Sequence, residues 1–273
     1  RISVLPRAQR DVVELVCASG KPLRLSVLSR ILNASPGECM QHIASLRSAH
    51  IVMTTQNDQE RKIDTYHDRV REAVNHSLGA PTRRKWHAKL AIGLEEARDV
   101  TPETVAFHFE QAGLIDKARL YYREAAMRSN AALAFMQEAD HLRKVIALWP
   151  HDQVGDDEEL MALHKELASS LANGGRAQEA AAVLLAVAPF APETDSFDMQ
   201  RRAGGLLVRS GHVDEGMRVL ATVLKTFHIS IPRHGWRNVL SLLWHRLLIR
   251  LRGLGFKERA LEEITSREVA KVD

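Results

Sequence analysis

Along most of this chain apolar residues recur every three to four positions, and only one stretch near the start alternates with a period of two. From Pro6 to Ser19 the residues Val12, Val13, Leu15, Val16 and Cys17 fall on a helix, which Gly20-Lys21-Pro22 stops. Leu25, Leu28, Ile31 and Leu32 give a second helix its apolar face. Asn33-Ala34-Ser35-Pro36 then turns the chain with proline at a helix start, and Cys39, Ile43, Ala44 and Leu46 mark a third helix. Ile51-Val52-Met53 is a β-prone run, Gln56-Asn57-Asp58-Gln59 is a polar turn, and Lys62 to Tyr66 alternate like a half-exposed return strand. Three helices followed by a two-stranded hairpin predict a winged-helix domain over residues 1–80.

Between Thr65 and Leu78 the pattern changes for good. Tyr66, Val70, Ala73, Val74 and Leu78 form one helical stripe, while Asp68, Arg69, Arg71, Glu72 and Asn75 take the other side. Asp68 stands in the first turn, where it complements the positive end of the helix dipole, and His67 lies beside free backbone N–H groups of the kind that attract phosphate. Gly79-Ala80-Pro81-Thr82 separates the domains, with Thr82 expected to cap a helix from Arg83 to about Arg98. Beyond it Gly113, Gly175 and Gly211 align GLIDKARLYY, GRAQEAAAVL and GHVDEGMRVL, with Ala118, Ala180 and Gly216 each five residues on. AFMQEADHLR from Ala134 fits as a degenerate fourth copy with Ala139 in the small position. A glycine closes one helix and a small residue lets its partner approach closely, which is the grammar of a helix-turn-helix solenoid. Unequal spacing makes it irregular. The fold class expected is therefore mainly α: a small winged-helix domain with one β-hairpin, then a tetratricopeptide-like α-helical solenoid over residues 81–273, truncated at its C-terminal end.

The last quarter carries Trp236, Leu240, Leu243, Trp244, Leu247, Leu248 and Leu251 on one stripe, edged by Arg237, His245, Arg246, Arg250 and Arg252. Peripheral contact of 236–252 with an anionic membrane surface is one use of such a face. Docking on a neighbouring helix is the favoured one.

Composition narrows these readings. The 45% of hydrophobic residues suffices for a sizeable core, and only 5% aromatics favours close-packed helices over sheet. A formal charge of +4, mild and spread along the chain apart from its last quarter, does not mark a nucleic-acid binder. Cys17 and Cys39 lie in apolar helical patterns and read as buried free thiols of a reducing compartment. No apolar run reaches the roughly 18 residues of a membrane span. Arg1-Ile2-Ser3 is neither an initiator Met nor a signal peptide, so the sequence reads as a piece of something longer. His108, His141, His164 and His212 lack metal spacing and read as ordinary surface or core histidines. Asp156-Asp157-Glu158-Glu159 reads as a helix start, and Pro189 to Pro192 as a turn.

Tyr66-His67-Asp68-Arg69-Val70-Arg71-Glu72-Ala73-Val74, followed by Arg83-Arg84-Lys85-Trp86-His87, resembles the winged-helix end of bacterial signal-transduction ATPases of the AAA/STAND type. The far end, with Ile231-Pro232-Arg233, Leu242-Leu243-Trp244 and Leu251 to Arg259, resembles the version fused to a serine/threonine protein kinase. The resemblance implies a regulatory interior segment, cytoplasmic, lying downstream of a nucleotide-binding domain that uses ATP or ADP with magnesium. In this group a winged-helix histidine contacts the diphosphate of bound ADP, which makes His67 the positional candidate, with Asp68 orienting it or capping the helix. Tyr66 stands where the better-known form has methionine. No GxxxxGK[ST] loop, HRD-like loop or DFG occurs in the chain, so no catalytic residue, metal ligand or cofactor is expected within it.

The function expected is thus non-catalytic: the solenoid senses a protein or peptide partner, and the winged helix passes that on to the nucleotide state of an upstream domain. The alternative is a transcription regulator with a DNA-contacting winged helix. Its third helix supplies Glu38, Gln41 and His42 with one cation, Arg47, and the wing adds Arg61-Lys62 among Asp58, Glu60 and Asp64, which is poor provision for phosphates.

Overall fold

The computed structural model describes residues 4–57, 60–97, 100–150, 158–226 and 235–253. Among them the protein is mainly helical, with one small three-stranded antiparallel sheet. Helix α1 (Arg7–Ser19) buries Val12, Val13, Leu15, Val16 and Cys17 completely and stops at Gly20, whose left-handed backbone (φ 67°) points its N–H at Cys17 O. Strand β1 (Leu23–Arg24) and helices α2 (Leu25–Leu32) and α3 (Pro36–Ser48) follow. Helix α3 opens with a capping box: the Ser35 hydroxyl accepts from Glu38 N at 3.2 Å, and Ser35 N donates to Glu38 Oε2 at 2.8 Å.

The expected hairpin is present as β2 (Val52–Asn57) and β3 (Glu60–Thr65), with Val52 opposite Thr65. Asp58 and Gln59 of its turn lie outside the described residues. The sheet has a third strand that alternation could not reveal, because β1 is two residues long; Leu23 pairs with Ile63 and leaves β3 in the middle. Tyr66, expected in the return strand, falls just past its end, where its N–H donates to Ile51 O.

Helix α4 (Asp68–Ser77) is followed almost at once by α5 (Ala80–Glu95). Thr82 is not the cap of α5 but a residue of its first turn. Gly79 holds the cap position and Pro81 the start, where proline's missing N–H and fixed φ fit a helix opening. Helices α6 (Pro102–Ala112), α7 (Ile115–Ala131), α8 (Phe135–Ala147) and α9 (Glu158–Asn173) continue, each of α5 to α8 packing on the next. The start of α9 retains Glu158 and Glu159 of the acidic run, whose first two residues lie outside the described ones.

One hydrophobic core runs from Val12 through Ile63 and Val74 to Leu90, Phe109 and Ala118. It joins the sheet and α1–α4 to α5 and α6, so the pattern change near residue 80 is not a break in packing. Asn75 Nδ2 donates to Cys17 O at 3.2 Å, and Trp86 Nε1 of α5 donates to Glu14 Oε2 of α1 at 2.8 Å. The compact units are residues 1–174 and 175–273, against the expected division into 1–80 and 81–273. Both cysteines are free and buried, and burial pushes the Cys17 thiol up to about 12.

In the second unit α10 (Ala177–Val187) packs on α11 (Glu193–Arg209), and α11 on α12 (Val213–Thr226). A short 3-10 turn over Ala188–Phe190 fills the expected proline turn. Gly113, Gly175 and Gly211 have φ of 78°, 82° and 92°, as their turns require. Ala118, Ala180 and Gly216, five positions on, are buried. The degenerate copy is corrected by one residue. Its left-handed position is held by Leu133 (φ 57°), so the matching fifth position is Glu138, not Ala139. A leucine there carries none of glycine's signal, which is why the sequence alignment slipped.

Helix α13 (Gly235–Arg252) departs from the favoured expectation of a docked stripe. Trp236, Leu240, Leu243, Trp244 and Leu251 are all exposed, and Val239, Leu242 and Ile249 extend the apolar surface beyond the stripe. The motif segments Ile231 to Arg233 and Leu254 to Arg259, and the tail 269–273, lie outside the described residues. Among the described residues no helix is long and apolar enough to cross a membrane.

Candidate functional site

His67 and Asp68 form an exposed corner where β3 hands over to α4. His67 holds the cap position itself, with extended backbone (φ −139°, ψ 144°) and no side-chain capping hydrogen bond. Its ring meets Tyr66 edge to face at 4.9 Å, and Tyr66 in turn meets His50 at 5.2 Å. Asp68 therefore does not cap; it is the first residue of α4, with Oδ1 3.5 Å from Arg71 Nη1. Arg71 also pairs with Asp64. The corner presents an imidazole, a carboxylate and the open end of a helix outward, a surface another domain can reach.

A larger feature was not foreseen. A cleft of about 600 Å³ opens between the turn after α1 and the helices α6, α7 and α8. Lys21 stands at one side, with Nζ 3.5 Å from Thr104 Oγ1. Phe107, His108, Tyr122, His141 and Lys144 supply the aromatic and basic lining, and Glu103 and Asp140 the acidic part.

The lining is pinned by two arrangements, one half-exposed and one buried. The Glu110 carboxylate accepts from the Tyr122 hydroxyl at 2.6 Å and from Lys144 Nζ at 3.1 Å. Burial and then this bond push the Tyr122 phenol far above its ordinary value, so it stays a donor to Glu110. Lys144 Nζ lies 5.9 Å from the centre of the Tyr122 ring, which stacks with His141 at 6.4 Å. Behind Phe107, His108 and His87 meet Nδ1 to Nδ1 at 2.9 Å. Such a contact needs one ring to donate and the other, necessarily neutral, to accept. Burial, then His87 and Lys21, holds His108 down to about 3; burial and Arg83 lower His87.

Reading His108 and His141 as ordinary histidines thus missed their place in the cleft. His87 and His108 are 21 residues apart on adjacent helices, and the available signal was a histidine set inside an apolar run, Val105-Ala106-Phe107-His108-Phe109. Among the described residues no group of three or more His, Cys, Asp or Glu side chains is placed to hold a metal ion. With aromatic faces, both charge signs and fixed donors and acceptors, the cleft is equipped to recognise a polar ligand or peptide. Comparisons with protein-family models, with curated proteins and with solved structures return no match.

Proposed function

We propose that this chain is a non-catalytic regulatory and protein-interaction segment, a winged-helix part followed by tetratricopeptide-like helix pairs. Its parent is a cytoplasmic bacterial signal-transduction ATPase carrying a serine/threonine kinase. A protein or peptide partner binds the helix pairs. The winged-helix part passes that event to an upstream domain holding ATP or ADP with magnesium, through the exposed His67-Asp68 corner.

The observation that carries the reading is the composition of the cleft. Lys21 and its neighbours come from the turn after α1, while Phe107, Tyr122 and Lys144 come from α6, α7 and α8. A ligand lying there touches both sets of elements at once, and binding energy that depends on their arrangement is what coupling requires. The sequence resemblance supplies the rest: the Tyr66-His67-Asp68 segment and its place before the helix pairs.

The test is ADP affinity and ATP turnover of the full-length parent carrying His67→Ala or Phe107→Glu. Weaker ADP binding with His67→Ala, and an altered turnover response with Phe107→Glu at the cleft, are expected. Unchanged affinity and turnover in the His67 variant remove the nucleotide role.

A further inference from the structure

A second hollow, of about 320 Å³, lies where α7, α8 and α9 meet. Asn130 and Met127 of α7, Glu138 of α8, and Glu166, Ser170 and Asn173 of α9 border it. Glu138 sets it apart. At the matching position after the turns of Gly113, Gly175 and Gly211 the chain has Ala118, Ala180 and Gly216, residues small enough for helices to touch. Here it has a glutamate that is only 5% exposed.

A buried carboxylate destabilises a protein unless both oxygens find donors. Glu138 Oε1 accepts from Asn130 Nδ2 at 2.9 Å, whereas Oε2 is buried and has no hydrogen-bond partner. Glu138 lines the hollow, so its carboxylate with the unmet Oε2 belongs to the hollow's wall. Glu166 does not share this need, since it forms a two-pronged ion pair with Arg123, Nη2 to Oε1 at 3.0 Å. That pair is neutral as a unit, which leaves Glu138 as the uncompensated charge of the hollow.

The geometry points to a binding site for a primary alkylammonium group, presented either by a lysine side chain or by a free diamine. The ammonium donates to Glu138 and to the oxygens of Ser170 and Asn173, and its methylene stem lies along Met127. An ammonium carries three donors and no acceptor, which matches a wall whose unmet group is an acceptor. A carboxylate or phosphate ligand is repelled by the same charge. The site is separate from the cleft lined by Tyr122 and Lys144 and stands whether or not that cleft couples to a nucleotide domain.

The experiment uses this chain labelled with nitrogen-15 and titrated with butylammonium, 1,4-diaminobutane and an Nα-acetyl-lysine amide. The expected result is movement of the Asn130 and Asn173 side-chain amide signals, with affinity weakened at least about tenfold by Glu138→Gln, the worth of one charge-assisted hydrogen bond. Glu138→Ala places at this position the residue that two of the other three turns use, keeps the fold and loses the binding. Tighter binding of the lysine amide assigns the site to a protein side chain, and of the diamine to a free polyamine. Absence of any shift, or equal binding by Glu138→Gln, overturns the proposal.

Discussion

Two imidazoles facing one another in a core make the protein acid-sensitive, and the direction follows from where each would take up a proton. Unfolded, a histidine titrates near its ordinary value of 6.5; folded, His108 is held down to about 3 and His87 is lowered as well. Between those values the unfolded chain binds more protons than the folded one, so stability falls as pH drops below about 6.5. For His108 alone the loss amounts to about 2 kcal/mol by about pH 5. Urea unfolding across this range reads the slope, and His87→Leu combined with His108→Leu abolishes the part due to the pair. A slope unchanged in the double variant would show that other groups set the acid limit. Single residues were also the least legible part of the sequence. Glu138 and Leu133 were invisible as a unit because the left-handed turn that relates them lacked its glycine, and His108 gave no hint of His87 because contact between helices has no fixed spacing along the chain.

At the scale of elements, glycine reports two different constraints in the helices of the second unit. A Cβ on Gly216 would stand 2.7 Å from Gly204 O and 2.9 Å from Val208 N, both backbone atoms that can yield only by moving α11 away from α12. Gly205, one residue along the same helix as Gly204, has open space around it. Gly216→Ala is therefore expected to destabilise by about 1–3 kcal/mol through overpacking. Gly205→Ala is expected to stabilise by about 0.5–1 kcal/mol, because alanine loses less backbone freedom on entering a helix. Thermal unfolding of the two variants should move in opposite directions; a shift of the same sign in both would contradict the close approach. The elements themselves were largely readable. Helix faces and glycine turns follow from periodicity and from φ, whereas β1 was too short to alternate, and the opening of α5 was misread because Gly79 and Pro81 act together before Thr82 can.

For the molecule as a whole, the sequence placed a seam near residue 80 where the pattern of apolar positions changes, and pattern is a local property. Packing is not local: Val12, Ile63, Leu90 and Phe109 are completely buried parts of one core. The uncovered face of α13 shows the same limit from the other side. Periodicity announced a stripe but held no information on what, if anything, lies against it. The bond from Trp86 to Glu14 and the burial of Trp86 itself tie α5 to α1. Elements that share a core share their opening, so α1 and α5 form one cooperative unit, and their slowest amides should exchange with the same free energy and the same denaturant dependence. Markedly faster exchange throughout α5 would separate them. Cleaving the chain after Gly79 would then not release a small folded domain; it would strip Leu90 and Trp86 from the core and leave the first eighty residues loosened, with the His67 corner among them.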